Sequence, residues 1–216
     1  MKRCLILTGG KLSLAFAGSF LKISKYEKVI AVDGGLEAAK ELGIIPDVIV
    51  GDFDTVRPEI LSYYRKMEHI IWEVHQPEKD DTDTALAIKR ALAMNCSHIT
   101  LLGATGGGLD HMVGNIHLLF PCLQKGTYAE IVDSQNRLYL IDGEHTFRKG
   151  ETWGKYISFL PLTEEVKGIT LRGFKYPLTD RDISIGTSLC ISNELVEEEG
   201  TITFSDGVLI TVESHD

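Results

Sequence analysis

Along the first half of the chain, short apolar runs alternate with stretches whose apolar residues recur at helical spacing, the pattern of a parallel sheet with crossover helices. Cys4 to Leu7, Val29 to Val32, Val48 to Val50 and His98 to Leu102 read as buried strands, with Ile70 to Val74 as a further candidate. Leu36 to Leu42 reads as a helix stopped by Gly43, with Pro46 just beyond. A second helix is predicted from Thr82 to Met94, with Ala85, Ile88 and Leu92 as its buried stripe. After about Lys125 the helical period fades and β-like runs follow: Tyr128 to Asp133, Arg137 to Ile141, Tyr156 to Leu160, Ile169 to Leu171 and Ser188 to Ser192. Thr201 to Phe204 and Val208 to Val212 flank Ser205-Asp206-Gly207, which predicts a hairpin closed by a tight turn. The fold class is therefore α/β: an N-terminal parallel-sheet domain over residues 1–125 and a C-terminal antiparallel β-sandwich domain over residues 126–216.

Four of the predicted strands end in polar, glycine-rich clusters: Thr8-Gly9-Gly10, Asp33-Gly34-Gly35, Gly51-Asp52-Phe53-Asp54, and the run from Gly103 to Asp110. In an open parallel sheet the carboxyl ends of the strands share one edge, and ligands bind in the crevice there. One such cluster is a tight turn; four predict a common site. Glycines at strand tips let a phosphate approach the main chain, and amides at the following helix N-termini favour anions. No cluster matches the Walker pattern, which excludes a P-loop.

Asp52 and Asp54 sit two apart, so in an extended backbone both point to one side. A second acidic group, Asp80-Asp81-Thr82-Asp83, falls at a predicted helix start, where capping and dipole compensation offer a plainer explanation. Taken together, carboxylates without His or Cys partners suit Mg²⁺, which takes one or two of them and completes its shell with water and substrate phosphates. Among the seven histidines only His111, beside Asp110, adjoins a glycine cluster.

Composition narrows the picture further. A net charge of −9 argues against nucleic acid as a partner, which would call for clustered Lys and Arg. The longest apolar runs fall far short of the roughly 20 residues of a membrane span. With no leader-like segment after Lys2 and Arg3, the expected location is the cytoplasm. The four cysteines are scattered next to apolar residues and read as buried thiols.

In order and spacing, a set of motifs resembles thiamin pyrophosphokinases: Asp33-Gly34-Gly35; Pro46-Asp47 with Gly51-Asp52-Phe53-Asp54-Thr55; Lys79-Asp80-x-Thr82-Asp83; Gly103-Ala104-x-Gly106-Gly107 with Asp110-His111 and Asn115; and Ser192-Asn193-Glu194. The resemblance implies an α/β domain followed by a β-sandwich, a homodimer, and transfer of pyrophosphate from MgATP to the hydroxyl of thiamin. By position it implies Asp52, Asp54 and Asp83 as Mg²⁺ carboxylates, with Lys79 beside them in catalysis. Asp33, Gly34, Gly35, Asp80, Thr82, Gly106 and Gly107 would line the nucleotide, and Asp110, Ser192 and Asn193 the thiamin. Many relatives carry Arg after the glycine pair, where this chain has Gly108. Pyrophosphoryl transfer to another small alcohol, such as a hydroxymethylpterin, or a non-catalytic nucleotide or thiamin sensor, are the competing readings. The absence of a Ser-His-Asp or Cys-His set favours direct in-line transfer over a covalent intermediate.

Overall fold

Residues in the central strands of the first half are covered on both faces, which is why they read as continuous apolar runs rather than as alternations. The computed structural model, which describes residues 1–76, 78 and 80–215, forms two compact units, Met1–Ser134 and Gln135–Asp216. The first unit contains β1 (Arg3–Leu7), β2 (Lys28–Val32), β3 (Val48–Gly51), β4 (Ile71–Val74), β5 (His98–Leu102) and β6 (Tyr128–Val132). They lie in the order β6-β5-β1-β2-β3-β4, each pair parallel. The helices are α1 (Leu14–Ile23), α2 (Gly35–Glu41), α3 (Pro58–Tyr64), α4 (Asp83–Ala93), α5 (Leu109–His117) and α6 (Leu119–Gln124).

The two predicted helices are present with the predicted ends. Gly43, at φ 68°, follows α2 and donates its N–H to the Lys40 carbonyl at 3.1 Å, a left-handed stop. Thr82 caps α4 by accepting the Ala85 N–H at 3.2 Å, and Ala85, Ile88 and Ala91 are buried beneath the helix, with Leu92 only half-buried. The expected boundary at residue 125 falls instead at residue 134, because Tyr128–Val132 joins the first sheet as a parallel neighbour of β5. Strand order reverses at β1: β2, β3 and β4 extend to one side, β5 and β6 to the other. A crevice is expected at the carboxyl ends of strands where that reversal occurs.

The second unit contains β7 (Asn136–Ile141), β8 (His145–Arg148), β9 (Tyr156–Pro161), β10 (Glu165–Arg172), β11 (Leu178–Ser184), β12 (Asn193–Glu194), β13 (Glu199–Thr203) and β14 (Leu209–Ser214). Within it β12-β9-β14-β7 and β11-β10-β13-β8 are two antiparallel sheets, closed over an aromatic core of Phe147, Phe159 and Phe174 with ring centroids 5.7–5.9 Å apart. The predicted terminal hairpin does not form. β13 pairs with β8 and β10, while β14 pairs with β7 and β9, so the turn carries the chain from one sheet to the other. Its backbone is satisfied by β10: Lys167 N–H donates to the Asp206 carbonyl at 3.0 Å and Ser205 N–H to the Lys167 carbonyl at 2.9 Å. The run Ser188 to Ser192 is a turn segment rather than a strand.

All four cysteines are free and buried. Burial pushes the thiols of Cys122 and Cys190 up to about 11 and that of Cys4 higher still, so they are packing residues. Among the described residues no helix is long and apolar enough to cross a membrane.

Candidate active site

A cavity of about 500 Å³ opens where the tips of β1, β2, β3 and β5 meet the start of α4. Its floor is the seam between β1 and β5. Thr8 donates both its N–H (2.9 Å) and its hydroxyl (3.2 Å) to the Leu102 carbonyl, and Lys11 N–H donates to the Gly106 carbonyl at 3.1 Å. A Cβ on Gly10 would strike the carbonyl oxygens of Gly103 and Gly106, so only glycine lets these two loops touch. The loop is held from behind as well: Asn115, the one buried residue of α5, donates its amide to the Ala104 carbonyl at 3.0 Å, and the Thr105 hydroxyl donates to Asp133 at 2.8 Å.

Asp33 ends β2 in a left-handed conformation, φ 42°. Its carboxylate receives the Phe53 N–H at 3.4 Å and fills the space that a side chain on Gly51 would need. Burial, followed by the charges of Asp83 and Asp52, holds the Asp33 carboxyl up at about 6. Carboxylates from two other elements thus act on Asp33. Asp83 begins α4, where the helix dipole favours its charge, and the nearby Asp81 is paired with Lys89 at 2.6 Å.

Of the residues expected in the site, Asp33, Asp52, Asp80, Thr82 and Asp83 line this cavity, as do Gly106 and Gly107. Gly34 and Gly35 form the first turn of α2 instead, Gly35 packed on the Leu7 carbonyl. Asp54 is exposed and is not among the lining residues; its N–H donates to Asp52 at 3.2 Å. Asp110 is exposed in the first turn of α5. Gly108 precedes it at φ −67°, a conformation open to any residue, although a side chain there would displace the Asp110 carboxylate. Lys79 lies outside the described residues. In the second unit Ser192 is exposed at φ 56°, and the Asn193 amide is occupied by the Tyr176 N–H and carbonyl at 3.0 and 2.9 Å. Thr84 and Met112 also line the cavity. Each lies one helical turn or less from a motif residue, the only sequence signal that points to them.

Residues 21–131 match the family model of the thiamin pyrophosphokinase catalytic domain, and residues 144–209 that of the thiamin pyrophosphokinase vitamin B1 binding domain. The chain belongs to the thiamin pyrophosphokinase family. A thiamine pyrophosphokinase of Bacillus subtilis (strain 168) is 39% identical over 188 residues, spanning 87% of each chain. The crystal structure of thiamine pyrophosphokinase from the same species superposes with a TM-score of 0.89 at 35% identity, covering 100% of both chains. That of thiamin pyrophosphokinase from Geobacillus thermodenitrificans gives 0.84 at 35%, covering 100% of this chain and 98% of the other. The cavity and its three converging carboxylates fall within the stretch matched to the family's catalytic domain, apart from Thr8, Gly9 and Gly10.

Proposed function

We propose that the protein transfers the pyrophosphoryl group of ATP to the hydroxyl of thiamin, giving thiamin diphosphate and AMP by direct in-line attack. The observation that carries this reading is the 500 Å³ cavity at the strand-order reversal, which joins glycine main chain to the carboxylates of Asp33, Asp52 and Asp83 inside the catalytic-domain match. The hydroxyl oxygen bonds to the β-phosphorus as the bond from that phosphorus to the bridging oxygen breaks, and AMP leaves. Such chemistry asks the protein mainly for positioning and for neutralisation of charge.

Among the described residues no group of three or more His, Cys, Asp or Glu is already arranged around a metal position. Mg²⁺ does not require one, since it takes one or two carboxylates and draws its remaining oxygens from water and phosphate. The donor set fits it: hard oxygens only, with Asp33 raised first by burial and then by the charges of Asp83 and Asp52. Asp52, Asp54 and Asp83 would hold the ion. When bound, it would supply charge neutralisation to the phosphates. The glycine main chain at Gly10, Gly106 and Gly107 gives the phosphates close approach, Thr82 fixes the helix start that presents Asp83, and Lys79 and Asp80 are assigned to the nucleotide phosphates. Asp110, Ser192 and Asn193 are assigned to the thiamin side. The same proposal has the protein working as a homodimer in the cytoplasm.

Incubation with thiamin and ATP labelled at the β-phosphate tests the reaction directly. Label in thiamin diphosphate, with AMP as co-product, is the expected result. ADP together with thiamin monophosphate would leave a kinase but remove the pyrophosphokinase.

A further inference from the structure

We infer that Phe53 is a positioning residue: its ring, anchored on the sheet, holds a backbone kink that presents Asp52 to the cavity. The inference deepens the proposed function and rests on it for the role of Asp52. Alternation along an extended strand tip would point Asp52 and Asp54 the same way. Instead Phe53 adopts φ 65°, a left-handed conformation that is an outlier for a bulky aromatic residue and is kept only where the surroundings impose it. With that kink, Asp52 lines the cavity while Asp54 is exposed.

The surroundings that impose it are visible. The Phe53 ring is 7% exposed and meets Trp72 edge-on, centroids 5.4 Å apart at 77°. Trp72 belongs to β4 and stands opposite Ile49 of β3, so the ring rests on the sheet itself rather than on a loop. The Arg65 guanidinium covers the other partner, 5.6 Å from the Trp72 ring. On its backbone side Phe53 donates its N–H to Asp33 at 3.4 Å and accepts the Val56 N–H at 3.3 Å. The kink therefore has an apolar anchor on one side and a link to a second cavity carboxylate on the other.

A double-mutant cycle separates aiming from simple packing, with Mg²⁺-dependent binding of a non-hydrolysable ATP analogue as the readout. Phe53→Ala is expected to weaken that binding about tenfold in the native background, and by less than about twofold when Asp52 is already Asn. Phe53→Leu, which keeps a buried apolar anchor, should recover much of the loss. Equal losses in both backgrounds, or no loss in either, would overturn the inference. If Phe53→Ala does not fold, Trp72→Ala removes the ring's partner without touching the loop, and the same coupling to Asp52, smaller in size, is expected. An unaltered protein with no metal-dependent analogue binding would sink this inference and the proposed function together. Binding without coupling sinks the inference alone.

Discussion

Asp33 in the first unit and Glu213 in the second are both shielded carboxylates, and their surroundings are opposite in kind. Glu213, 4% exposed, accepts the Tyr139 hydroxyl at 2.8 Å on one oxygen and the Trp153 N–H at 2.5 Å on the other. Asp33 receives a long N–H bond from Phe53; burial first, and then the charges of Asp83 and Asp52, hold its proton up to about 6. A carboxylate surrounded by donors ties strands together; one surrounded by carboxylates is destabilised until positive charge arrives. Both patterns come from the same side-chain chemistry. What differs is whether the fold supplies the hydrogen-bond donors itself or leaves compensation to a ligand.

The hardest test of this contrast removes charge from the crowded side. Asp52→Asn and Asp83→Asn are expected to lower turnover of thiamin and ATP by on the order of a thousandfold at saturating Mg²⁺, about 4 kcal/mol of lost transition-state stabilisation. Thermal melts should show no loss of stability, since a repelling charge has gone. Rates within about tenfold of the unaltered protein for both variants would mean that these carboxylates do not serve the phosphates. On the satisfied side the outcome should invert. Glu213→Ala leaves the Tyr139 hydroxyl and the Trp153 amide without their acceptor, and urea denaturation should show a loss of about 3 kcal/mol. The folded fraction should retain its turnover number. A Glu213 variant that melts normally yet fails to turn over would break the division between scaffold and site.

Much of the site was legible because the central strands are covered on both faces, so each reads as an apolar run with an abrupt polar end. Those ends gave the tips of β1, β2, β3 and β5, and with them Asp33, Asp52, Gly106 and Gly107. Local rules failed where long-range packing decides. Alternation could not reveal the kink between Asp52 and Asp54, because Phe53 takes a left-handed conformation whose anchor, Trp72, is a strand away. Asp-Gly chemistry correctly announced a turn at Asp206-Gly207 but not which sheet would receive the next strand; bridging to Lys167 sends β14 to the other one. Helix α5 is hidden by inverted polarity, with Asn115 buried while Leu109 and Val113 are exposed. A short run such as β6 carries no mark of parallel or antiparallel pairing, which is why the domain boundary came nine residues early.

The gentlest test acts on Asp33 itself. Asn keeps an oxygen for the Phe53 N–H and tolerates φ 42°, so Asp33→Asn removes the charge without disturbing the turn. With its carboxyl held at about 6 when folded, against an ordinary value of 3.8, Asp33 binds its proton more tightly in the folded protein than in the unfolded chain. Between those two values folding takes up a proton, so stability falls as the pH rises through the window and stays lower above it. The penalty is absent below about pH 4, where both states are protonated. Asp33→Asn should therefore stabilise the metal-free protein by about 1 kcal/mol at pH 7.5, a gain kept modest by partial solvent access, and the two melting temperatures should converge as the pH is lowered towards 4. A gain that persisted unchanged at pH 4 would mean that the substitution acts through packing and not through charge. A loss of stability at pH 7.5 would mean that the Asp33 carboxylate, like that of Glu213, is already compensated by donors within the fold.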